Sequence, residues 1–437
     1  MSSQGNDIPE GFKMTELGPL PEEWKTAQLG DAVQTLKGKK PSNLLESLQE
    51  DCVPYLTADY FRTLIPSKFA KLCSDGSVVS VNENDIVFIW DGSNAGDVFT
   101  GLRGILASTM IKILPKESDV ESKYLYFFLK TQFDLFNSRT TGSTIPHVNK
   151  QLFQNLTIPL PPLPEQKAIA RVLSTIQKAI EAQAKIIAAA RELKKSLMRH
   201  LFTYGPVPVS QAEQVPLKET EIGPVPEHWE VVRLGEVVQK KNGIKRGPWG
   251  GSIKKEIFVP IGHKVYEQKN VIANDFSIGS YFIDDDKFEE LKDFAVKDGD
   301  ILITAAGTLG KLAIVPENAH KGIINQALLR LRLNEDIIIK RYFKNAFNNL
   351  VDSRILEGMS HGATLKNLSS VAVLRNLPIP LSPQTEQQEI VRILSTVDNK
   401  IDAEEKRKAA LQALFKTMLH LLMTGKVRVK DLEATVA

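Results

Sequence analysis

The chain has 437 residues, of which 42% are hydrophobic and 24% are charged, and its formal net charge is +3. This length and composition predict a folded protein of two or three domains and exclude a disordered or collagen-like chain. The weak positive charge is compatible with a nucleic-acid ligand but does not by itself indicate one.

Targeting segments and cysteine chemistry are not indicated. The first residues lack a charged and apolar signal segment, and no run of 18 or more apolar residues occurs. We therefore expect a cytoplasmic protein that does not associate with a membrane. Cys52 and Cys73 form no CxxC pair and lie near no pair of histidines, so the sequence indicates neither a zinc site nor a disulfide framework.

Two blocks of sequence occur twice, and they frame everything between them. Residues 15–33, TELGPLPEEWKTAQLGDAV, return at 220–238 as TEIGPVPEHWEVVRLGEVV, with 10 of 19 positions identical. Residues 156–180, LTIPLPPLPEQKAIARVLSTIQKAI, return at 377–401 as LPIPLSPQTEQQEIVRILSTVDNKI, with 13 of 25 identical. The offsets are 205 and 221 residues, so each half consists of a framework block, a variable insert and a second framework block.

A basic, turn-rich loop follows the first block in each half. Glycines in such loops let the backbone approach a surface closely, and lysines and arginines contact phosphates. An isolated loop of this kind is typical of solvated surface, but its recurrence at matched positions favours DNA binding. The residues concerned are Lys37, Lys39 and Lys40 in the first half and Lys240, Lys241, Lys245, Arg246, Trp249, Lys254 and Lys255 in the second.

In each insert the sequence predicts a turn that leads into a buried strand. Asn84-Asp85 precedes the apolar run IVFIW, and Asp298-Gly299-Asp300 precedes ILIT. An aromatic, amphipathic stretch follows at 124–136 and at 342–351.

Polar residues after these amphipathic stretches are candidates for base reading. We hypothesise that the guanidinium groups of Arg139 and Arg354 each donate two hydrogen bonds to a guanine in the major groove. An alternative is that each arginine complements the C-terminus of a helix. The residues expected to bond bases or phosphates are Ser143, Thr144, His147, Ser360, His361 and Thr364.

Two long helices are predicted after the second framework blocks, at 164–204 and 383–425. The first is rich in Ala, Glu, Lys, Gln and Leu, and Gly425 is the C-cap of the second. Apolar residues recur at steps of three and four, which predicts a coiled-coil seam. The seam residues are Ile169, Leu173, Ile176, Ile180, Ile187, Leu197, Ile390, Leu394, Val397, Ile401, Leu411 and Met418.

Antiparallel pairing is the simplest way to bury both seams, because one helix leaves the first insert and the other leaves the second. Gln183 interrupts the first seam, and Glu404 and Lys408 lie on the second, where an exposed i,i+4 pair is expected. A forty-residue helix is roughly 60 Å long, the span of about eighteen base pairs. The length of the helices therefore either sets the distance between two contacts on DNA or has no functional role, in which case the helices are only a structural spacer.

These elements predict an α+β chain. Two pseudo-repeated α/β domains, at 14–163 and 218–382, are separated by the two long helices, which pair antiparallel as a coiled coil. No catalytic box for adenine methylation, no glycine fingerprint for a nucleotide and no HExxH motif occurs. GTLGK at 307–311 lacks the spacing of a phosphate loop and is predicted to be a turn, so we expect no catalytic and no metal-binding residues.

The framework blocks resemble those of a known family, the specificity subunits of type I restriction-modification enzymes. The resemblance rests on GPLPEEWKTAQLGDAV at 18–33 and GSTIPHVNKQLFQNLTIPLPPLPEQKAIARVL at 142–173, which both reappear in the second half, so it covers nearly the whole chain. It implies two target recognition domains, each reading one half of a bipartite, asymmetric DNA site, and helices that set the gap between the halves.

The resemblance also implies the partners of the chain. Two methyltransferase subunits would bind the exposed faces of the helices, and motor-nuclease subunits would join them to cut unmethylated double-stranded DNA. S-adenosylmethionine, ATP and magnesium are then expected in those partners, with no cofactor bound by this non-catalytic chain. Two alternatives remain: a self-contained DNA methyltransferase or nuclease, and a coiled-coil scaffold that binds no DNA.

Overall fold

The computed structural model describes residues 8–72, 77–248, 250–352 and 370–429. The chain divides into two compact units, the first made of Met1–Lys185 and Glu405–Ala437 and the second of Ile186–Glu404. Each division falls inside one of the two long helices.

The strands of the first unit are β1 (Phe12–Thr15), β2 (Gly18–Pro21), β3 (Lys25–Gln28), β4 (Val33–Lys37), β5 (Cys52–Leu56), β6 (Phe69–Lys71), β7 (Ser80–Val81), β8 (Ile86–Ile89), β9 (Val98–Phe99), β10 (Gly104–Leu106), β11 (Met110–Pro115) and β12 (Thr157–Leu160). Those of the second unit are β13 (Leu217–Thr220), β14 (Gly223–Pro226), β15 (Glu230–Arg233), β16 (Ile244–Arg246), β17 (His263–Tyr266), β18 (Phe282–Ile283), β19 (Ala295–Val296), β20 (Ile301–Thr304), β21 (Leu312–Ile314), β22 (Gly322–Ile324), β23 (Leu328–Leu331) and β24 (Pro378–Leu381).

The helices are α1 (Leu29–Ala32), α2 (Ala58–Thr63), α3 (Ser122–Thr131), α4 (Phe133–Ser138), α5 (Lys150–Gln154), α6 (Leu163–Tyr204), α7 (Leu234–Val237), α8 (Gln268–Ala273), α9 (Asp285–Glu290), α10 (Lys340–Asp352), α11 (Val371–Arg375) and α12 (Gln384–Met423). Short 3-10 turns cover Val209–Gln214, Gly250–Ser252, Lys255–Ile257 and Lys292–Phe294.

The two units have the same sheet topology. The first contains four-stranded sheets in the orders β6-β5-β10-β7 and β4-β11-β8-β9, and the second contains β18-β17-β22-β19 and β16-β23-β20-β21. In each unit one central pair is parallel, β5 with β10 and β17 with β22. The inserts, which agree in sequence only at a few turns, therefore share one fold.

The buried strands predicted after the acidic turns are confirmed. All four residues of β8 and all four of β20 are buried, which is why these segments are continuously apolar rather than alternating. The preceding aspartate holds each turn: Asp85 accepts the backbone N–H of Asn82 at 2.7 Å, and Asp300 accepts that of Lys297 at 2.9 Å.

Matched hydrogen bonds join the framework blocks in each unit. The indole of Trp24 donates to Glu165 at 3.0 Å, and that of Trp229 donates to Glu386 at 2.7 Å. Both tryptophans are fully buried, so these bonds satisfy donors that would otherwise be costly. The repeated Trp and Glu of the sequence are therefore structural.

The two long helices run antiparallel within each unit. In the first unit Leu173, near the start of α6, shares a core with Leu422 at the end of α12. In the second unit Leu201, near the end of α6, shares a core with Ile390 near the start of α12, and Lys194 pairs with Asp398 at 2.6 Å. The predicted antiparallel pairing is confirmed.

Most of the predicted seam is withdrawn from solvent. Ile169, Leu173, Ile187, Ile390, Leu394 and Ile401 are buried, whereas Ile176, Ile180, Leu197, Val397, Leu411 and Met418 are half-buried. The expectation of an exposed Glu404 is wrong: its side chain is only 9% exposed and pairs with Lys400, one turn earlier. A carboxylate on a buried seam needs a partner within reach, and Lys400 provides it.

The segment after α12 is tied back to the first framework block. Gly425 ends the helix with φ +65°, and Arg428 then contacts Glu165 at 2.5 and 2.7 Å and Glu23 at 2.7 Å. The side chains of Arg428 and Glu165 are each only 14% exposed. This ion pair closes the first unit around Trp24.

We expect Arg428→Ala to lower the free energy of unfolding by about 2–3 kcal/mol, because it leaves Glu165 largely buried without its charge partner. Urea unfolding of the purified chain measures the loss. Arg392→Ala, which removes an ion pair with Glu389 on an exposed face of α12, is the control and should leave unfolding unchanged. Equal effects of the two variants would contradict the assignment.

Candidate nucleic-acid interface

Asp91 brings together two of the segments that the sequence singled out. Its carboxylate contacts the amine of Lys37, at the end of β4, at 2.6 Å and Nδ1 of His147 at 2.7 Å. Lys37 and His147 have side chains 48% and 47% exposed, whereas Asp91 is 18% exposed. The basic loop and the Gly-Ser-Thr segment therefore meet on one surface of the first unit.

Ser143 and Thr144 lie at the tip of a tight turn. Thr141 and His147 exchange backbone hydrogen bonds of 2.8 and 2.7 Å across it. Gly142 has φ +95°, and a Cβ there would lie 2.6 Å from the carbonyl oxygen of Ile145, so the turn requires glycine. Both polar side chains are exposed and are available to a ligand.

Arg139 is the C-cap of α4, and its backbone N–H bonds to the carbonyl of Phe136. Its side chain is exposed. This position suits both interpretations of the sequence, complementing a helix C-terminus and reaching a ligand.

A glycine follows the first insert strand at matched positions in the two units. A Cβ on Gly38, after β4, would lie 2.0 Å from the carbonyl oxygen of Ala107, and one on Gly247, after β16, would lie 1.8 Å from that of Asn325. The backbones are too close for any side chain there. Lys39 and Lys40 follow the first of these glycines and are exposed.

The basic residues of the second unit are more dispersed. Lys241 and Arg246 are exposed, and Arg246 immediately precedes Gly247 as Lys37 precedes Gly38. Lys245 pairs with Asp293 at 3.3 Å and lies over the ring of Phe294 at 4.9 Å. Also exposed are Lys240, Lys254 and Lys255.

Five predicted residues lie outside the described residues, so the structure does not place them. They are Trp249, Arg354, Ser360, His361 and Thr364.

Sequence reasoning missed the carboxylates that organise the first unit. Asp91 and Asp97 lie in the turn after β8, and Asp97 contacts Arg62 of α2 at 3.1 Å. Arg62 also lies 5.9 Å from the ring of Phe99, which stacks on Phe61 at 4.9 Å. The signal available was two aspartates after a buried strand, but their partners are distant in sequence.

A cavity of about 720 Å³ in the second unit contains none of the predicted site residues. Burial and the nearby ammonium of Lys194 lower the pKa of Lys344 in its wall, while Asp398 opposes them. The charged residues that line the cavity are Lys194, Lys340, Arg341 and Lys344 against Asp298, Glu317, Asp398 and Asp402. Because the two signs balance, the cavity shows no preference for an anion.

Within the described residues no cluster of three or more His, Cys, Asp or Glu is arranged to hold a metal ion. Over the same part of the chain, no helix combines the length and apolar character needed to cross a membrane.

Comparison with known proteins identifies the family. The model described as type I restriction modification DNA specificity domain matches residues 21–191 and 226–413. The chain is 34% identical to the type I restriction enzyme MjaVIII specificity subunit of Methanocaldococcus jannaschii, over 97% of each protein. It is 24% identical to the EcoBI specificity subunit of Escherichia coli, over 75% of this chain and 69% of that protein.

A solved structure agrees with the fold. The type I restriction-modification S subunit from M. genitalium superposes with a TM-score of 0.54 at 17% identity, over 96% of this chain and 98% of that one. The relatives are specificity subunits, which implies a non-catalytic role. On the two matched domains and the near full-length similarity, the chain belongs to the family of type I restriction-modification DNA specificity subunits.

Proposed function

We propose that this chain reads a bipartite, asymmetric DNA target and directs methylation and cleavage by partner subunits. Each unit contacts one half-site, and the lengths of α6 and α12 fix the number of base pairs between the half-sites.

The observation that carries this proposal is one fold used twice with different surface chemistry. At the end of the matched strands the first unit presents Lys37 beside Asp91 and His147, whereas the second presents Arg246 and a lysine drawn onto Asp293. Phosphate contacts position a protein on DNA and base contacts specify sequence. A shared scaffold with unlike loops fits two different half-sites.

The partners follow from the same proposal. Two methyltransferase subunits bind the exposed faces of α6 and α12, and motor-nuclease subunits join this assembly. Apolar side chains on these faces support a protein partner, since Ile186 is 46%, Leu193 53% and Leu414 46% exposed. S-adenosylmethionine, ATP and magnesium belong to the partners, in keeping with the lack of catalytic motifs in the sequence.

The test is selection of duplexes from a randomised pool by the chain assembled with its methyltransferase subunit. We expect enriched sequences with two short constant tracts and a fixed gap. One continuous tract, or no enrichment, would contradict the proposal. Methyl transfer by the purified chain alone would instead favour a self-contained methyltransferase, and footprinting that shows no protected tract would favour a scaffold.

Neutralising one exposed lysine should weaken binding without changing sequence preference. For Lys40→Gln we expect the slope of log affinity against log salt concentration to fall by about 0.9, the value for one lost phosphate contact on B-DNA. Fluorescence anisotropy with the selected duplex at several salt concentrations measures it. Lys13→Gln is the control, because Lys13 lies in β1 with its amine on the carbonyl of Glu22. A changed base preference would contradict a phosphate contact.

A further inference from the structure

Helix α2 ends in a residue whose backbone conformation is unfavourable for its side chain. Leu64 caps the helix in the left-handed region, with φ 57° and ψ 21°. The matched helix α8 ends in the same way at Asn274, with φ 50° and ψ 37°. The left-handed cap is thus part of the shared fold. Asparagine tolerates it, whereas leucine is strained there.

This strained position also exposes apolar surface. Leu64 is 66% exposed and Ile65, the next residue, is 71% exposed. A single exposed leucine is ordinary. Leu64 and Ile65, however, are adjacent exposed apolar residues at a strained cap, and this conformation brings neither of them packing contacts. Strain retained without packing points to a role in function.

The tip is fixed by local hydrogen bonds. The N–H of Leu64 donates to the carbonyl of Tyr60 at 2.9 Å. The N–H of Ile65 donates to the hydroxyl of Thr63 at 3.2 Å, and that hydroxyl donates to the carbonyl of Asp59 at 3.0 Å. Because the backbone is held, the two side chains form a preorganised apolar knob.

The knob and two of the predicted DNA contacts are anchored to one segment, the turn that follows β8. Helix α2 is anchored through Arg62 on Asp97, in the short segment that also contains Asp91. Asp91 in turn holds Lys37 and His147. The segment that anchors the apolar tip therefore also anchors the exposed side chains of Lys37 and His147.

We propose that Leu64 and Ile65 contact thymine methyl groups in the major groove and thereby determine part of the half-site read by the first unit. The C5-methyl of thymine is the apolar feature of that groove, and apolar side chains recognise it. This inference rests on the proposed function. It adds a specificity-determining position to the first unit, and the matched residue of the second unit is Asn274.

The experiment uses the chain assembled with its methyltransferase subunit and the duplex that this assembly selects from a randomised pool. Each thymine of the target is replaced in turn by deoxyuracil, which removes only the methyl group. For the unsubstituted chain we expect affinity to fall about fourfold at one or two positions of a single half-site, the factor for one buried methyl group. L64N should bind the thymine duplex more weakly and lose this response to deoxyuracil.

Two controls separate the contact from a folding defect. L64N should melt at the same temperature as the unsubstituted chain or higher, because asparagine accepts the left-handed cap. Val209→Asn removes a side chain that is 73% exposed and lies outside both inserts, and it should leave the deoxyuracil response intact.

The outcomes are distinct. An equal deoxyuracil response in L64N and the unsubstituted chain overturns the proposal. The proposal is also overturned if the selected duplex has a flexible pyrimidine–purine step at this half-site and affinity does not respond to deoxyuracil. That result would indicate that the apolar side chains insert between bases instead of contacting methyl groups. If the unsubstituted assembly selects no two-part duplex at all, the proposed function itself fails.

Discussion

Asp300→Asn is expected to lower the free energy of unfolding by about 3–5 kcal/mol, the loss seen when one partner of a buried ion pair is removed. The Asp300 carboxylate is 4% exposed and receives Arg332 at 2.8 and 3.0 Å. Arg330, 1% exposed, lies 3.9 Å away. Burial, with help from the positive charge of Arg332, lowers the pKa of Arg330 to about 10. Without Asp300 two crowded guanidinium groups would lose their counter-charge.

The matched residue of the first unit supplies the control. Asp85 faces a single cation, Lys112 at 2.7 Å, and these side chains are 16% and 12% exposed. Asp85→Asn should therefore cost less, about 2–3 kcal/mol, because it leaves only one largely buried cation without its counter-charge. Urea unfolding of both variants, with far-UV circular dichroism, measures the two losses. If the loss of unfolding free energy at Asp300 is no larger than that at Asp85, the second cation does not make stability more dependent on the carboxylate.

The long helices and the central strands could be predicted because their signals are local. The seam of α6 repeats within each turn, so neighbouring residues define it. The strand β8 is continuously apolar because both of its faces are covered, and the aspartate before it marks the turn. In these segments the local preference and the tertiary packing agree.

The organisation of the candidate interface could not be predicted, because its contacts join distant residues. Asp91 meets Lys37 and His147 across 54 and 56 residues, and nothing in the neighbourhood of any one of them indicates the others. The left-handed cap at Leu64 was also missed, since leucine is not the residue that such a cap favours. The shared fold of the inserts, by contrast, was predicted from the turns, buried strands and amphipathic stretches that recur in both halves.

Lengthening both long helices by one heptad should widen the gap between the half-sites by about three base pairs. Seven residues add roughly 10.5 Å of helix, and stacked base pairs rise 3.4 Å each. The insertions are placed after Lys185 in α6 and after Glu404 in α12, where the chain passes between its two units. Seven residues preserve the phase of the seam, so Leu173 and Leu394 keep their partners.

The assembly with the methyltransferase subunit selects duplexes from a randomised pool, and both the gap and the half-sites are read from the enriched sequences. On the original duplex, affinity should fall by a factor of about 10²–10⁴, because only one half-site can be engaged at a time. A two-residue insertion in α6 alone is the control. It rotates the seam by about 200°, to the opposite face of the helix, and should destabilise the chain rather than shift the gap. Unchanged gaps in the doubly extended chain would show that helix length does not set the interval, and altered half-sites would show that the helices take part in reading bases.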